Sequence, residues 1–82
     1  MEVESINEPV KVRADFQGGQ IVPLAFKRKS KVYKIERING SWRDGDGRDA
    51  VHCFSVECAS EIYELHLRIR DMTWRLDRVI VL

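Results

Sequence analysis

Residues 63–70 read YELHLRIR, a stretch in which apolar side chains alternate without a break with charged or polar ones. Successive side chains of a β-strand point to opposite faces of the sheet, so this period of two predicts a strand with one buried face. No long stretch of the chain keeps the 3.6-residue period of an amphipathic helix. The sequence therefore predicts an all-β protein.

Five other stretches show the same alternation or are rich in β-branched and aromatic residues, which favour strands. They are residues 10–16, 22–26, 31–39, 53–58 and 74–80. Gly18-Gly19 and Asn39-Gly40 predict tight reversals, and Pro23, which has no N–H, predicts an edge strand or a β-bulge.

Six short antiparallel strands in 82 residues predict a meander that curls into a small barrel or a strongly twisted sheet of SH3-like size, because curling hides strand edges. We expect residues 1–8 to form a flexible N-terminus and residues 9–82 a single β domain. The apolar end, residues 79–82, is expected to be tucked into the barrel or paired with a second copy. The predicted core is Val12, Phe16, Leu24, Phe26, Tyr33, Ile35, Phe54, Val56, Tyr63, Leu65, Leu67, Trp74 and Leu76.

The composition is that of one small globular domain, with 44% apolar residues, 33% charged residues and a net charge of +1. No apolar run approaches the roughly 20 residues of a membrane-spanning helix. The acidic start lacks the features of a secretory signal, so we expect a cytoplasmic protein without membrane contact.

Cys53 and Cys58 are an odd number of residues apart and therefore point to opposite faces, which argues against a disulfide or a shared metal.

Motifs of catalysis are absent from the sequence. There is no glycine-rich phosphate loop, no nucleophile elbow and no zinc-protease motif. The loop of residues 44–49 departs from the calcium-binding pattern at several positions. Glu64 and His66 lie about 7 Å apart on one strand face, which we interpret as a solvated ladder of charges. We expect no enzyme activity, no cofactor and no metal.

Charge is distributed unevenly along the chain, because residues 11–43 carry nine bases against two acids and residues 44–67 carry one base against six acids. Cations on a β-hairpin can contact several phosphates while an aromatic ring stacks on an unpaired base. The candidate nucleic-acid contacts are Lys27, Arg28, Lys29, Lys31, Lys34, Arg37, Trp42 and Arg43. The alternatives are a solvated turn whose lysines protect a sheet edge, an acidic protein partner, and pairing with the acidic half of the chain itself.

Several spaced residues are similar to those of a family of small bacterial proteins of unknown function. They are Glu8-Pro9-Val10, Val12, Pro23, Phe26, Tyr33, Ile35, Trp42, Phe54, Val56, Tyr63-Glu64-Leu65, Trp74, Leu76 and Arg78. Members of that family occur mostly in Gram-positive bacteria, sometimes beside or fused to genes of Y-family DNA polymerases. The resemblance covers about residues 8–79. The resemblance implies an accessory module that acts in the setting of DNA damage tolerance. It assigns no catalytic residues.

Two functions are therefore expected from different classes. The first is a small non-enzymatic β module that binds nucleic acid or a DNA-processing protein in a repair or translesion setting. The second is a protein interaction module or homodimer that uses a free strand edge, such as that of the last strand, by β-augmentation.

Overall fold

A computed structural model describes residues 1–82 and confirms the all-β prediction. The chain forms eight strands and one turn of 3-10 helix at Gly47–Asp49. No helix has the length and apolar character needed to cross a membrane. The strands are β1 (Glu2–Pro9), β2 (Lys11–Gln17), β3 (Gln20–Arg28), β4 (Lys31–Lys34), β5 (Arg37–Asp44), β6 (Val51–Cys58), β7 (Glu61–Arg68) and β8 (Thr73–Val81).

The strands form two antiparallel sheets. The larger has the order β1-β8-β7-β6-β5, and the smaller has the order β2-β3-β4. Paired strands are consecutive along the chain, apart from β1 and β8. This is a meander, as predicted, but its hydrogen bonds divide into two sheets and do not close a barrel.

The first bend, at Val10, carries the chain from the five-stranded sheet into the three-stranded sheet. Val10 alone separates β1 from β2, and its N–H donates to the Trp74 carbonyl at 3.2 Å. The prediction that residues 1–8 are flexible is wrong, because β1 pairs along β8, with Val3 opposite Ile80. The apolar last strand thus has a partner on each side and is not a free edge.

The second bend, at Ile35 and Glu36, returns the chain to the five-stranded sheet and divides the predicted strand 31–39 into β4 and β5. Ile35 N–H donates to the Leu24 carbonyl and Glu36 N–H donates to the Glu57 carbonyl, each at 2.9 Å. Consecutive residues are therefore bonded to different sheets. Six predicted strands become eight because this bend divides one of them and because β1 forms from residues that were predicted to be flexible.

The predicted turn signals have different outcomes. Gly18 and Gly19 form a tight reversal with φ of 53° and 78°, as predicted. Asn39 and Gly40 are not a reversal, because both lie within β5, where the register with β6 shifts between Ile38 and Gly40. An irregularity in a strand uses the same residue types as a turn, which explains the error.

A bulge beside Pro23 changes which residues of β3 are buried in the core. The register of β2 and β3 shifts between Arg13 and Ala14, which leaves Leu24 without a partner on β2. Pro23 is buried, whereas Leu24 is 37% exposed. Phe16, near the end of the hairpin, is 63% exposed. Leu24 and Phe16 are therefore wrongly predicted as core residues.

The core lies between the two sheets. Its buried members include seven of the predicted residues, namely Phe26, Phe54, Val56, Tyr63, Leu65, Leu67 and Leu76. Four others are partly buried against them, namely Val12, Tyr33, Ile35 and Trp74. The prediction missed Pro23, Ala50, Cys53, Cys58 and Val79, which are also buried.

Phe26 joins the two sheets. Its side chain is 1% exposed, and its ring stacks on that of Tyr33 with centroids 4.9 Å apart and planes at 5°. The ring of Tyr63, on the central strand of the other sheet, packs against Phe26 in a T-shaped arrangement with centroids 5.2 Å apart. Pairs of rings in such arrangements contribute about 0.5–1.5 kcal/mol beyond the burial of their area.

We predict that Phe26→Ala lowers the free energy of unfolding by about 3–5 kcal/mol, because it opens a cavity where the sheets meet. Phe16→Ala is the matched control, since the same truncation at an exposed site should change stability by less than about 0.5 kcal/mol. Urea unfolding followed by tryptophan fluorescence measures both. Equal effects of the two substitutions would contradict the role assigned to Phe26.

Cys53 and Cys58 are free and buried on opposite faces of β6, since Cys58 lies in the core and Cys53 lies beside Asp44. Burial is the main cause that raises the pKa of each thiol to about 11. The nearby carboxylates of Asp44, for Cys53, and Glu36, for Cys58, make smaller contributions to the same rise. Both thiols are therefore protonated and inaccessible at neutral pH.

We predict that neither thiol of the folded protein reacts with a disulfide reagent at pH 8, whereas both react at once in denaturant. Cys53→Ser and Cys58→Ser, tested singly, assign any residual reaction to one thiol. Labelling of the folded protein at the rate of an exposed cysteine would contradict this burial.

Candidate nucleic-acid interface

The outer surface of the three-stranded sheet carries a cluster of cations placed by strand alternation and register. Lys11 of β2 lies opposite Lys27 of β3, and one step further Arg13 lies opposite Ala25, which pairs with Lys34 of β4. We call the four cations, Lys11, Arg13, Lys27 and Lys34, the basic face. All four are exposed.

The direction of the basic face follows from the residues between its members. Val12, Phe26 and Tyr33 are paired in one row across the sheet and pack toward the core. Side chains on either side of that row must point the opposite way, into solvent. Burial of Phe26 therefore fixes the outward orientation of the cations.

None of the four cations forms an ion pair, because the salt bridges of the molecule involve other bases. Residues 11–34 carry seven bases and one acid, whereas the rest of the chain carries seven bases and twelve acids. Folding thus places the basic part of the sequence in one sheet and most acids outside it. A net charge of +1 conceals this separation.

The direct opposition of Lys11 and Lys27 is the strongest indication that this surface binds a ligand. Like charges directly opposite each other on a sheet are destabilising. Neither lysine forms an ion pair with a carboxylate that would offset the repulsion directly. An anion held between the two ammonium groups would remove the repulsion.

A groove runs beside these two lysines at the first bend. It has a volume of about 470 Å³ and is lined by Glu8, Pro9, Val10, Lys11, Lys27, Arg28, Lys29 and Ser30. One wall is held by an ion pair in which Arg28 Nε donates to Glu8. A second hollow, on the other side of the same lysines, includes Arg13 and Val32. Lys11 and Lys27 thus line both depressions.

The five predicted contacts on β3, β4 and their turn have different surroundings. Lys27 and Lys34 belong to the basic face, and Lys29 lies in the turn beside the groove. Arg28 is paired with Glu8 and is therefore less available to a ligand. Lys31 Nζ lies 5.0 Å from the centre of the Tyr33 ring, a cation–π contact on the inner side of the sheet.

The other three predicted contacts lie on β5, in the five-stranded sheet. Trp42 is opposite Cys53, on the face turned away from the core, and is 41% exposed. Arg37 and Arg43 are exposed on the same strand. The structure therefore does not bring Trp42 together with the lysines of the basic face.

Sequence reasoning missed Lys11 and Arg13. Their alternation with Val12 was visible, and it indicated two cations on one face of a strand. The positions of Lys11 opposite Lys27 and of Arg13 opposite Ala25 depend on the register of β2 and β3, which no local pattern specifies.

Comparison of the chain with protein-family models, curated proteins and solved structures found no match.

We predict that Lys27→Gln raises the free energy of unfolding by about 0.5 kcal/mol at low salt, because it removes the repulsion from Lys11. The gain should shrink in about 0.5 M NaCl, where charges are screened. Arg48→Gln is the control, since this exposed base lies among acids and faces no lysine. Thermal and urea unfolding at both salt concentrations measure the difference, and a loss of stability in Lys27→Gln would contradict the repulsion.

Proposed function

We propose that the protein is a nucleic-acid-binding module whose basic face contacts the sugar–phosphate backbone. The observation that carries this proposal is the unpaired, directly opposed Lys11 and Lys27 on a sheet with seven bases and one acid. Binding to phosphates releases the counterions condensed on the nucleic acid, which makes such contacts favourable and salt-dependent.

The composition of the basic face indicates the mode of binding. Between its cations lie Ala25 and Val32, and no aromatic ring belongs to it. Without a ring there is no platform for stacking on bases, the usual basis of single-strand preference. We therefore expect binding through the backbone, with little dependence on base sequence. From the resemblance of its sequence to proteins encoded near Y-family polymerases, we further propose a role beside a DNA-processing enzyme.

The main test compares two double variants of equal charge change. Lys11→Glu with Lys27→Glu alters the basic face, and Arg43→Glu with Arg48→Glu alters exposed bases outside it. In about 50 mM salt, fluorescence anisotropy with labelled duplex and single-stranded DNA should show at least about tenfold weaker binding for the first variant only. The slope of log affinity against log salt should fall by about 2.

Equal affinity of the two double variants would contradict the basic face as the site, and absence of binding by the native protein would contradict the function. Trp42→Ala separates this account from base stacking, because β5 lies outside the proposed contact surface. Its affinity should equal that of the native chain. Circular dichroism confirms that each variant is folded.

A second candidate function rests on the exposed edge of β5. All eight of its residues are exposed, and it is the last strand of its sheet, with β6 on one side only. Such an edge can accept a strand from a second copy or another protein. Sedimentation over a range of concentrations tests self-pairing, which requires that the fraction of dimer rise with protein concentration. Removing residues 79–82 does not test it, because β8 is an interior strand.

A further inference from the structure

Three potential metal ligands converge on the face of the five-stranded sheet that points away from the core. They are Glu64 and His66 of β7 and Asp77 of β8. His66 Nε2 lies 2.8 Å from Glu64 Oε1 and 4.0 Å from Asp77 Oδ2. Each of the three residues has one donor atom that lies within 4.8 Å of the donor atoms of the other two.

A bulge in β8 produces this convergence. Glu64 pairs with Arg78 while the next residue, Leu65, pairs with Leu76, so Asp77 is an extra residue in its strand. In a regular strand, neighbours point to opposite faces, whereas Asp77 and Arg78 both reach Glu64 or His66. The bulge thus adds a second carboxylate to the pair that alternation already places on one face.

The cluster is only partly open to solvent. The side chains of Glu64, His66 and Asp77 are 16%, 25% and 27% exposed. Two carboxylates so close to each other need a cation, because partial burial weakens screening by water. Arg78 supplies one, with Nε 2.9 Å from Asp77 Oδ2 and 3.5 Å from Glu64 Oε2. Arg78 is itself 47% exposed, so its guanidinium has room to swing away.

We propose that Glu64, His66 and Asp77 bind one divalent transition-metal ion of the Zn²⁺ type, which displaces the guanidinium of Arg78. An imidazole nitrogen and two carboxylate oxygens form a donor set that suits Zn²⁺. Around a tetrahedral ion with bonds of about 2.1 Å, donors lie about 3.4 Å apart, between the two separations of His66 from its neighbours. Three protein ligands leave an outward position for water.

Arg78 and Arg70 provide a matched pair of variants, because each is an exposed arginine within reach of a carboxylate. Arg78→Gln removes the competing cation, so Zn²⁺ should bind about tenfold more tightly by calorimetry on the full chain. Arg70→Gln should leave the affinity unchanged, because Arg70 pairs with Asp49 and lies outside the cluster. Equal affinities of these two variants would overturn the displacement.

The two histidines provide a second matched pair. His66→Asn and, independently, Asp77→Asn should lower the affinity at least about tenfold. His52→Asn should retain it, since His52 stacks on Phe54 away from the cluster. Thermal unfolding identifies any variant that fails to fold, and the other ligand variant then decides.

Cobalt spectroscopy distinguishes this donor set from a cysteine site. Co²⁺ bound by nitrogen and oxygen should show visible bands without the near-ultraviolet thiolate band, and Cys53→Ser should leave the spectrum unchanged. A thiolate band, or the absence of saturable Zn²⁺ binding by the native protein, would overturn the proposal.

Discussion

The structure depends on two bends in the backbone, at Val10 and at Ile35–Glu36. Each is a corner at which an extended chain leaves one sheet and enters the other, and each is held by backbone hydrogen bonds. Without them a six-stranded meander would remain one sheet with an exposed apolar side. With them, the three-stranded sheet folds over the five-stranded sheet, and one core forms between the two.

That core is small, so its stability depends on a few side chains. Domains of this size bury only about 60% of the surface that the unfolded chain exposes. Phe26 is the large side chain that the three-stranded sheet buries fully, and Tyr33 and Tyr63 enclose its ring. β1 adds a partner for β8, which protects an apolar terminal strand from pairing with other chains.

The strand content and most of the core could be predicted from the sequence, because alternation over residues such as Tyr63, Leu65 and Leu67 reports burial directly. The bends and bulges could not. Leu24 and Asp77 are displaced by register shifts, which depend on pairing with a distant strand. For the same reason, the charges of residues 27–34 were recognised as a group, whereas Lys11 and Arg13 were not added to it, and Trp42, which lies on β5 of the other sheet, was.

The two outer surfaces of the molecule thus differ in chemistry. The outer side of the three-stranded sheet presents three lysines and Arg13 without ion pairs, whereas the outer side of the five-stranded sheet carries Glu64, His66 and Asp77 in a compact cluster. Both arrangements leave charges that a ligand of opposite sign would neutralise. Folding, and not overall composition, determines this division.

The most direct test of this division is a nuclear magnetic resonance titration of the ¹⁵N-labelled protein with a short DNA duplex. We expect amide shift changes at Lys11–Arg13, Ala25–Lys27 and Val32–Lys34, with little change along β6, β7 and β8. Shift changes centred on Trp42 and Arg43, or none at all in low salt, would contradict this prediction.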